Sequence, residues 1–367
     1  MIKKKKITIV MGTRPEIIKL APIIRELEKE NLEFDIIFTD QHYDYELSKK
    51  FFEELELKNP KYHLKIGKGT QGEQTGKAII GIEHILLDNI PKILLVQGDT
   101  NSALAGALAA VKLHIKVGHI EAGLRSYDFR MPEEHNRRMI DHISSYLFAP
   151  TENSVKILKN ENVWGKIFKT GNTVIDACLQ HYPFAVKKSE IMKDIEFKKY
   201  VLITSHRAEN VDNKEILNNL VNAFLEIPYP IVFPIHPRTL HRLNEFNLLK
   251  KLKSNDNILI IPPVGYLDLL ILMKNCEFIV TDSGGIQEEA TAPVIKKFVF
   301  VIRKTSDRPE SCNEGFSKVV GTNTEIILKE INNYIQKPYQ LPNKSPYGDG
   351  KSSERIVKIL KGELNII

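Results

Sequence analysis

Three acidic side chains stand where a carboxylate could act on a substrate. Asp99 lies in Gln97-Gly98-Asp99-Thr100, Glu121 in His119-Ile120-Glu121-Ala122-Gly123, and Glu133 precedes Glu134 and Asn136-Arg137-Arg138. Carboxylates near one another raise each other's pKa, so a single site keeps both a base and an acid at neutral pH. The chemistry this suggests is proton transfer. The same residues also read as helix caps: Asp99 for a helix starting near Ser102, and Glu133 or Glu134 for the next. Capping does not exclude catalysis.

A second set could hold an anion. Thr281-Asp282-Ser283-Gly284-Gly285 runs from an apolar stretch into a helix-type segment. A helix N-terminus presents free N–H groups, Gly284 and Gly285 let a phosphate approach the backbone, and Ser283 adds a hydroxyl. An N-cap with a tight turn is the plainer reading. Glu289, one turn on, reads either as a carboxylate for the two hydroxyls of a ribose or as a surface residue. Gly12-Thr13-Arg14-Pro15-Glu16 and Lys19 put cations at a helix start, where they oppose its dipole, which favours a functional reason for them. This string is neither Gly-x-Gly-x-x-Gly nor a Walker A loop, so a dinucleotide cofactor or ATP lacks its usual signature. His206-Arg207, Arg303 and Arg308-Pro309-Glu310 complete the basic side, since arginine clamps phosphate oxygens in pairs. His206 reads either as a phosphate or proton ligand or as a structural histidine, and a turn accounts equally well for His236-Pro237-Arg238.

Something must position these residues. Apolar runs rich in Ile and Val recur at Ile7–Met11, Phe34–Thr39, Ile93–Gln97, Val117–Glu121, Tyr146–Ala149 and Ile167–Thr170, separated by amphipathic helix-length segments. Runs apolar on both faces predict buried parallel strands in a doubly wound domain. After a charged stretch, 187–199, the pattern restarts at Val201–Ser205, Ile231–Ile235, Ile258–Ile261, Phe278–Thr281 and Val299–Ile302. The prediction is α/β: an N-terminal Rossmann-like domain over 1–171, a second over 172–350, and a last helix, 351–367, packing back on the first. The hinge falls near Gly171-Asn172-Thr173. Ligands of open α/β sheets sit beyond the carboxyl ends of the strands, where an unusual share of the charged residues above is found. A cleft between the two domains is the expected site.

Composition narrows the class. A chain of 367 residues, 42% hydrophobic and 27% charged, is long enough for two cores, and no apolar run reaches bilayer-spanning length. The apolar residues after Lys3–Lys6 stop at Met11, too short for a signal sequence, so a soluble cytoplasmic protein is expected. Cys178, Cys276 and Cys312 have no zinc spacing and are not expected to pair. The +6 formal charge is spread over helices with Glu interleaved, which argues against nucleic acid and suits a small anionic substrate.

The strings Gly12-Thr13-Arg14-Pro15-Glu16, Gly98-Asp99-Thr100, Glu121-Ala122-Gly123-Leu124-Arg125, Pro132-Glu133-Glu134-x-Asn136-Arg137, Asp282 to Ala290 and Arg308-Pro309-Glu310 come in an order that resembles the non-hydrolysing UDP-N-acetylglucosamine 2-epimerases over nearly the whole chain. The resemblance implies a GT-B-type fold, a homodimer, a UDP-sugar substrate, and no redox cofactor or metal. It implies that UDP leaves anti to the C2 proton, giving 2-acetamidoglucal, and that both add back on the other face. Asp99, Glu121 and Glu133 resemble the acid/base carboxylates, and His206 the site histidine near the diphosphate. Arg14, Lys19, Ser283, Gly284 and Gly285 would stabilise the departing diphosphate, Glu289 would take the ribose, Arg308 would bind substrate, and Tyr266 with Val264 and Leu269 falls where the family wraps uracil. Two departures stand out: 291–298 is longer than the family's usual stretch, and Lys304 replaces an Asp. Of the residues binding an activating second UDP-N-acetylglucosamine in bacterial members, Gln41 remains while Asp44 and Thr70 take other positions, which predicts weak or absent activation. Related readings are C2 epimerisation of a UDP-diacetamido uronate, a GT-B glycosyltransferase, a hydrolysing epimerase, disfavoured by Pro15-Glu16, and a nucleotide-sugar sensor.

Overall fold

The apolar runs become strands because helices cover them on both faces. The computed structural model describes residues 7–40, 51–67 and 69–365. Every residue of β1 (Ile7–Met11), β2 (Phe34–Phe38) and β4 (Ile93–Gln97) is buried. With β3 (Tyr62–His63), β5 (Lys116–Ile120), β6 (Tyr146–Ala149) and β7 (Lys166–Lys169) they form a seven-stranded sheet of order β3-β2-β1-β4-β5-β6-β7. All its pairings are parallel. A second parallel sheet holds β8 (Val201–Thr204), β9 (Ile231–Pro234), β10 (Ile258–Ile261), β11 (Ile279–Thr281), β12 (Val299–Val301) and β13 (Ser317–Val319), in the order β10-β9-β8-β11-β12-β13. The expected strands match to within about a residue at each end. Strands β3 and β13 escape sequence reading because two or three edge residues, mostly half-buried, carry no apolar run.

Each sheet reverses its winding once, between β1 and β4 in the first and between β8 and β11 in the second. Such switch points open a crevice beyond the strand ends. In the first sheet that crevice is flanked by Gly12-Thr13 after β1 and Gly98-Asp99 after β4; in the second, by Ser205-His206 after β8 and Asp282-Ser283 after β11.

The chain forms two compact units: one runs to Ala177 and resumes at Tyr347, and the other is Cys178–Pro346. The expected boundaries at 171/172 and 350/351 differ from these for a local reason. The N–H of Asn172 donates to the carbonyl of Tyr347 at 2.7 Å. One turn later the Asp176 carboxylate accepts from the N–H of Ser352 at 3.2 Å and from the N–H and hydroxyl of Ser353 at 2.8 and 2.7 Å. The first turn of helix Thr173–Lys188 is thereby tied to the final helix, Ser352–Leu364. That helix packs on Arg14–Lys29, burying Ile356, Val357 and Leu360, and Lys361 meets Glu30 at 2.5 Å.

Small residues bring helix Asn101–Lys112 close to the first sheet. Ala103, Ala105, Ala107, Ala109 and Ala110 are all buried, and a Cβ on Gly106 would stand 3.1 Å from Val10. In the second unit, Phe278, Phe298, Phe300 and Tyr334 pack ring against ring.

Candidate functional site

At the first unit's switch point, one carboxylate joins the two flanking turns. Glu16 Oε2 accepts from the Gly12 N–H at 3.0 Å and the Thr13 hydroxyl at 2.8 Å, while Oε1 accepts from the Thr100 hydroxyl at 2.8 Å. Burial pushes its carboxyl up to about 7, against the hydrogen bonds from Thr100, Thr13 and Gly12 that pull it down. Thr100 also caps helix Asn101–Lys112 through the Ala103 N–H. Asp99 is therefore not the cap it can be read as. Helix Pro132–Ile143 likewise starts without a side-chain cap, so neither Glu133 nor Glu134 fills that role.

Asp99 is held from several sides. Arg137 donates to its Oδ2 from Nη2 and, at 3.1 Å, from Nε; the Asn136 amide donates to its backbone carbonyl at 2.9 Å. Asp99 and Glu133 line one cavity of about 440 Å³ with Thr13, Gln71, Thr100 and Asn136. Its size suits a small ligand. Glu134 points away from it, accepting from the Ser126 N–H at 2.8 Å and hydroxyl at 2.9 Å and pairing with Arg137 and Arg138. Burial opposes its charge, but the bonds from Ser126 and Arg138 and the attraction of Arg137 prevail and hold its carboxyl below the usual range.

Glu121 follows β5 with φ +69°, a left-handed conformation that costs a side-chain-bearing residue energy and recurs at functional sites. Its Oε2 accepts from Lys19 Nζ at 2.5 Å and from the Gln97 amide at 2.8 Å. Lys19 is buried and spends its charge on Glu121, whereas Arg14 is exposed, its guanidinium 6.0 Å from the Phe51 ring centre. Lys19 is thus not the solvated cation its position near a helix start allows. Gln41 and Asp44 lie outside the described residues; Thr70 caps helix Gln71–Asp88 in a capping box with Glu73.

In the second unit, fully buried Asp282 ties the two flanking strand ends together. Its carboxylate accepts from the N–H groups of His206 at 3.0 Å and Arg207 at 3.0 Å, from the Ser205 hydroxyl at 3.1 Å and from the Asn210 amide at 3.1 Å. His206 Nδ1 lies 3.3 Å from Asp282 Oδ1, and the His206 ring faces that of His236 with centres 5.5 Å apart. Burial lowers the His206 pKa despite the Asp282 charge, so the ring favours the neutral form. Ser283 caps helix Gly284–Glu289, accepting from the Ile286 N–H at 3.5 Å. Arg308 Nε stands 2.6 Å from Glu288 Oε1, and the missing Cβ of Gly284 would lie 3.3 Å from Asp307. Tyr266 and Glu289 are both buried, the Tyr266 hydroxyl 3.8 Å from Cys178 Sγ; burial first, then the Cys178 and Glu289 charges, push the phenol up. Leu269 is half-buried on the same helix, Tyr266–Asn275.

Glu16, Gln97, His119, Arg137 and Asp282 received no role from the sequence, although all but Gln97 and His119 stand inside the strings quoted for the resemblance. Gln97 and His119 are polar residues within buried strands, Asp282 directly follows one and Glu16 lies in the first turn of a helix, whereas Arg137, in mid-helix, carried no such signal. Among the described residues, no group of three His, Cys, Asp or Glu could hold a metal ion, and no helix is long and apolar enough to cross a membrane.

Two doubly wound parallel units, one offering carboxylates and the other a Ser-Gly-Gly helix start with basic neighbours, define an α/β enzyme of the GT-B fold class. Residues 25–361 match the family model described as UDP-N-acetylglucosamine 2-epimerase. A UDP-N-acetylglucosamine 2-epimerase of Methanocaldococcus jannaschii is 53% identical over 97% of this chain and 98% of its own. The crystal structure of that organism's enzyme in complex with UDP-GlcNAc and UDP superposes with a TM-score of 0.88, covering 97% of this chain and 99% of that one. A UDP-2,3-diacetamido-2,3-dideoxy-D-glucuronate 2-epimerase of Pseudomonas aeruginosa is 37% identical over 97% of this chain and 99% of its own. A Rickettsia africae glycosyltransferase, 16% identical with a TM-score of 0.61, covers the full length of both chains and shares the fold alone. This chain belongs to the non-hydrolysing UDP-N-acetylglucosamine 2-epimerase family.

Proposed function

We propose that the protein interconverts UDP-N-acetylglucosamine and UDP-N-acetylmannosamine by eliminating UDP and adding it back. The observation that carries this reading is the pairing of Asp99 with Glu133 on one cavity at the first unit's switch point. A base there removes the C2 proton; the C2–H electron pair becomes the C1=C2 bond of 2-acetamidoglucal, and the C1–O pair leaves with UDP. Asp99, Glu121 and Glu133 share the work: one takes the proton, and another, protonated, gives one to the opposite face of C2 as UDP re-adds at C1. The steps are redox-neutral, so the scheme requires no redox cofactor.

Departure of UDP needs its growing charge met by fixed donors. Arg14, His206, Arg308 and the Ser283-Gly284-Gly285 turn are assigned that work, with Glu289 on the ribose and Tyr266 and Leu269 beside the uracil. Lys19, expected from the resemblance at the diphosphate, is assigned instead to Glu121, on whose carboxylate its ammonium rests at 2.5 Å. The diphosphate contacts should favour free UDP over intact substrate.

In deuterated water, UDP-N-acetylglucosamine should yield UDP-N-acetylmannosamine carrying deuterium at C2, followed by NMR. Free N-acetylmannosamine would instead mean hydrolysis, and absence of exchange would sink the elimination. The Pseudomonas aeruginosa relative supports a second reading, a UDP-diacetamido uronate as substrate; its lower identity, 37% against 53%, places it behind, and the same assay with that sugar decides. A cytoplasmic homodimer belongs to the proposal, checked by light scattering and cell fractionation.

A further inference from the structure

Asp99 is gripped more completely than a carboxylate at a strand end requires. Arg137 donates twice to Oδ2, while Oδ1 accepts no hydrogen bond from the described residues. The Asn136 amide fixes the Asp99 carbonyl, and His119 Nε2 stands 2.8 Å from the carbonyl of Gly98. Arg137 is nearly buried and lies outside the cavity that Asp99 lines.

Behind Arg137 a series of ion pairs and hydrogen bonds leads back toward the turn that carries Asp99. Glu134 Oε2 lies 3.3 Å from Arg137 Nη1, and its Oε1 lies 3.0 Å from Arg138 Nε. Arg138 reaches Glu161 at 3.0 Å, and Glu161 takes Arg125 at 3.0 and 2.7 Å. Arg125 meets Asp141 at 2.7 Å, and Asp141 meets fully buried His119 at 2.7 Å. Both ring nitrogens of His119 face acceptor oxygens, the second one the carbonyl of Gly98, the residue before Asp99. Buried ion pairs of this kind contribute little net stability and are best understood by what they specify.

We infer that Arg137 is a positioning residue that aims Asp99. By occupying Oδ2 with two donors of a rigid fork, it leaves Oδ1 as the oxygen that exchanges the proton with the sugar. When Asp99 acts as base, the proton rests on Oδ1 while the C2–H pair passes into the C1=C2 bond and the C1–O pair departs with UDP, and a different, protonated carboxyl group supplies the proton C2 receives on its other face as UDP re-adds; in the opposite direction of reaction Oδ1 is the oxygen that donates. The inference rests on the epimerase reading above.

The test is Arg137→Lys in the full-length protein, with UDP-N-acetylglucosamine and its C2-deuterated form. A lysine cannot hold one oxygen with two fixed donors, so kcat should fall about 100-fold, the loss typical of a misplacement near 1 Å. KM should move less than roughly threefold, and the deuterium effect on kcat should grow as proton transfer becomes limiting. An unchanged kcat with a lowered melting temperature would reduce Arg137 to structure and overturn the inference. A raised KM at unchanged kcat would make it a substrate contact, with the same consequence. Should the lysine variant not fold, Glu134→Gln loosens Arg137 while keeping the amide within reach of Ser126. It should show a smaller loss of kcat with the same isotope signature, and wild-type kinetics there would overturn the inference. If wild-type protein gives neither epimer nor deuterium at C2, the epimerase reading falls and this inference with it; wild-type turnover with an indifferent Arg137→Lys removes this inference alone.

Discussion

Glu16 is a carboxyl sealed among donors, and its titration should be visible in stability. Its folded pKa, about 7, lies above the ordinary 4.5, so between those values the folded state binds more protons than the unfolded chain. The Glu16 contribution is therefore greatest below about 4.5 and is lost as pH rises to about 7, by about 3 kcal/mol. Glu16→Gln should flatten that part of the profile, read by urea unfolding at pH 5, 6 and 7. An unchanged slope would mean that Glu16 titrates normally. Lys19→Met should leave Glu121 buried with its main charge partner gone, costing about 3–5 kcal/mol and most of the turnover. A stability loss below about 1 kcal/mol, measured the same way, would show that water replaces the ammonium.

Elements, more than single residues, decide which side chains meet. Asp99, Glu121 and His119 owe their positions to β4 and β5, adjacent and in register, with Gln97 opposite Ile120. The turn after β5 depends on Gly123, whose φ is +83° and whose missing Cβ would stand 2.6 Å from the carbonyl oxygen of Ser154. Gly123→Ala is both strained and crowded there, since the obstacle is backbone. It should cost roughly 2–3 kcal/mol and depress kcat more than KM, because Glu121 and the Gly123 N–H bond to Asp141 at 3.2 Å share that turn. Equal Tm for variant and wild type would refute the packing argument.

At the scale of the whole chain, the C-terminal helix is part of the first unit. Ile356, Val357, Leu360 and Leu364 are buried on it, and Asp176 accepts three donors from its first residues. Ending the chain at Lys351 exposes the facing apolar surface and leaves Asp176 buried without those donors, a loss of several kcal/mol. Melting of the first unit should fall by roughly 10 °C or more, followed calorimetrically. Asp176→Asn, which turns an amide toward a donor, should reproduce roughly 1–3 kcal/mol of it. A truncated chain melting like the full one would show the helix to be merely appended.

Much of this was legible in one dimension. Burial on both faces writes a parallel strand as an uninterrupted apolar run, and residues just after such runs fall at the sheet's carboxyl edge, so Asp99, Glu121, His206 and Ser283 stood out by position alone. Short edge strands such as β13 left no comparable run. Tertiary structure alone decided the partners. That Lys19 serves Glu121 across 102 positions, that Thr100 rather than Asp99 caps its helix while Glu16 joins two turns, and that Arg137 takes one oxygen of Asp99 follow from helices crossing the sheet at fixed distances. Local spacing determines which residues reach the same edge, whereas close packing in three dimensions determines which of their atoms touch.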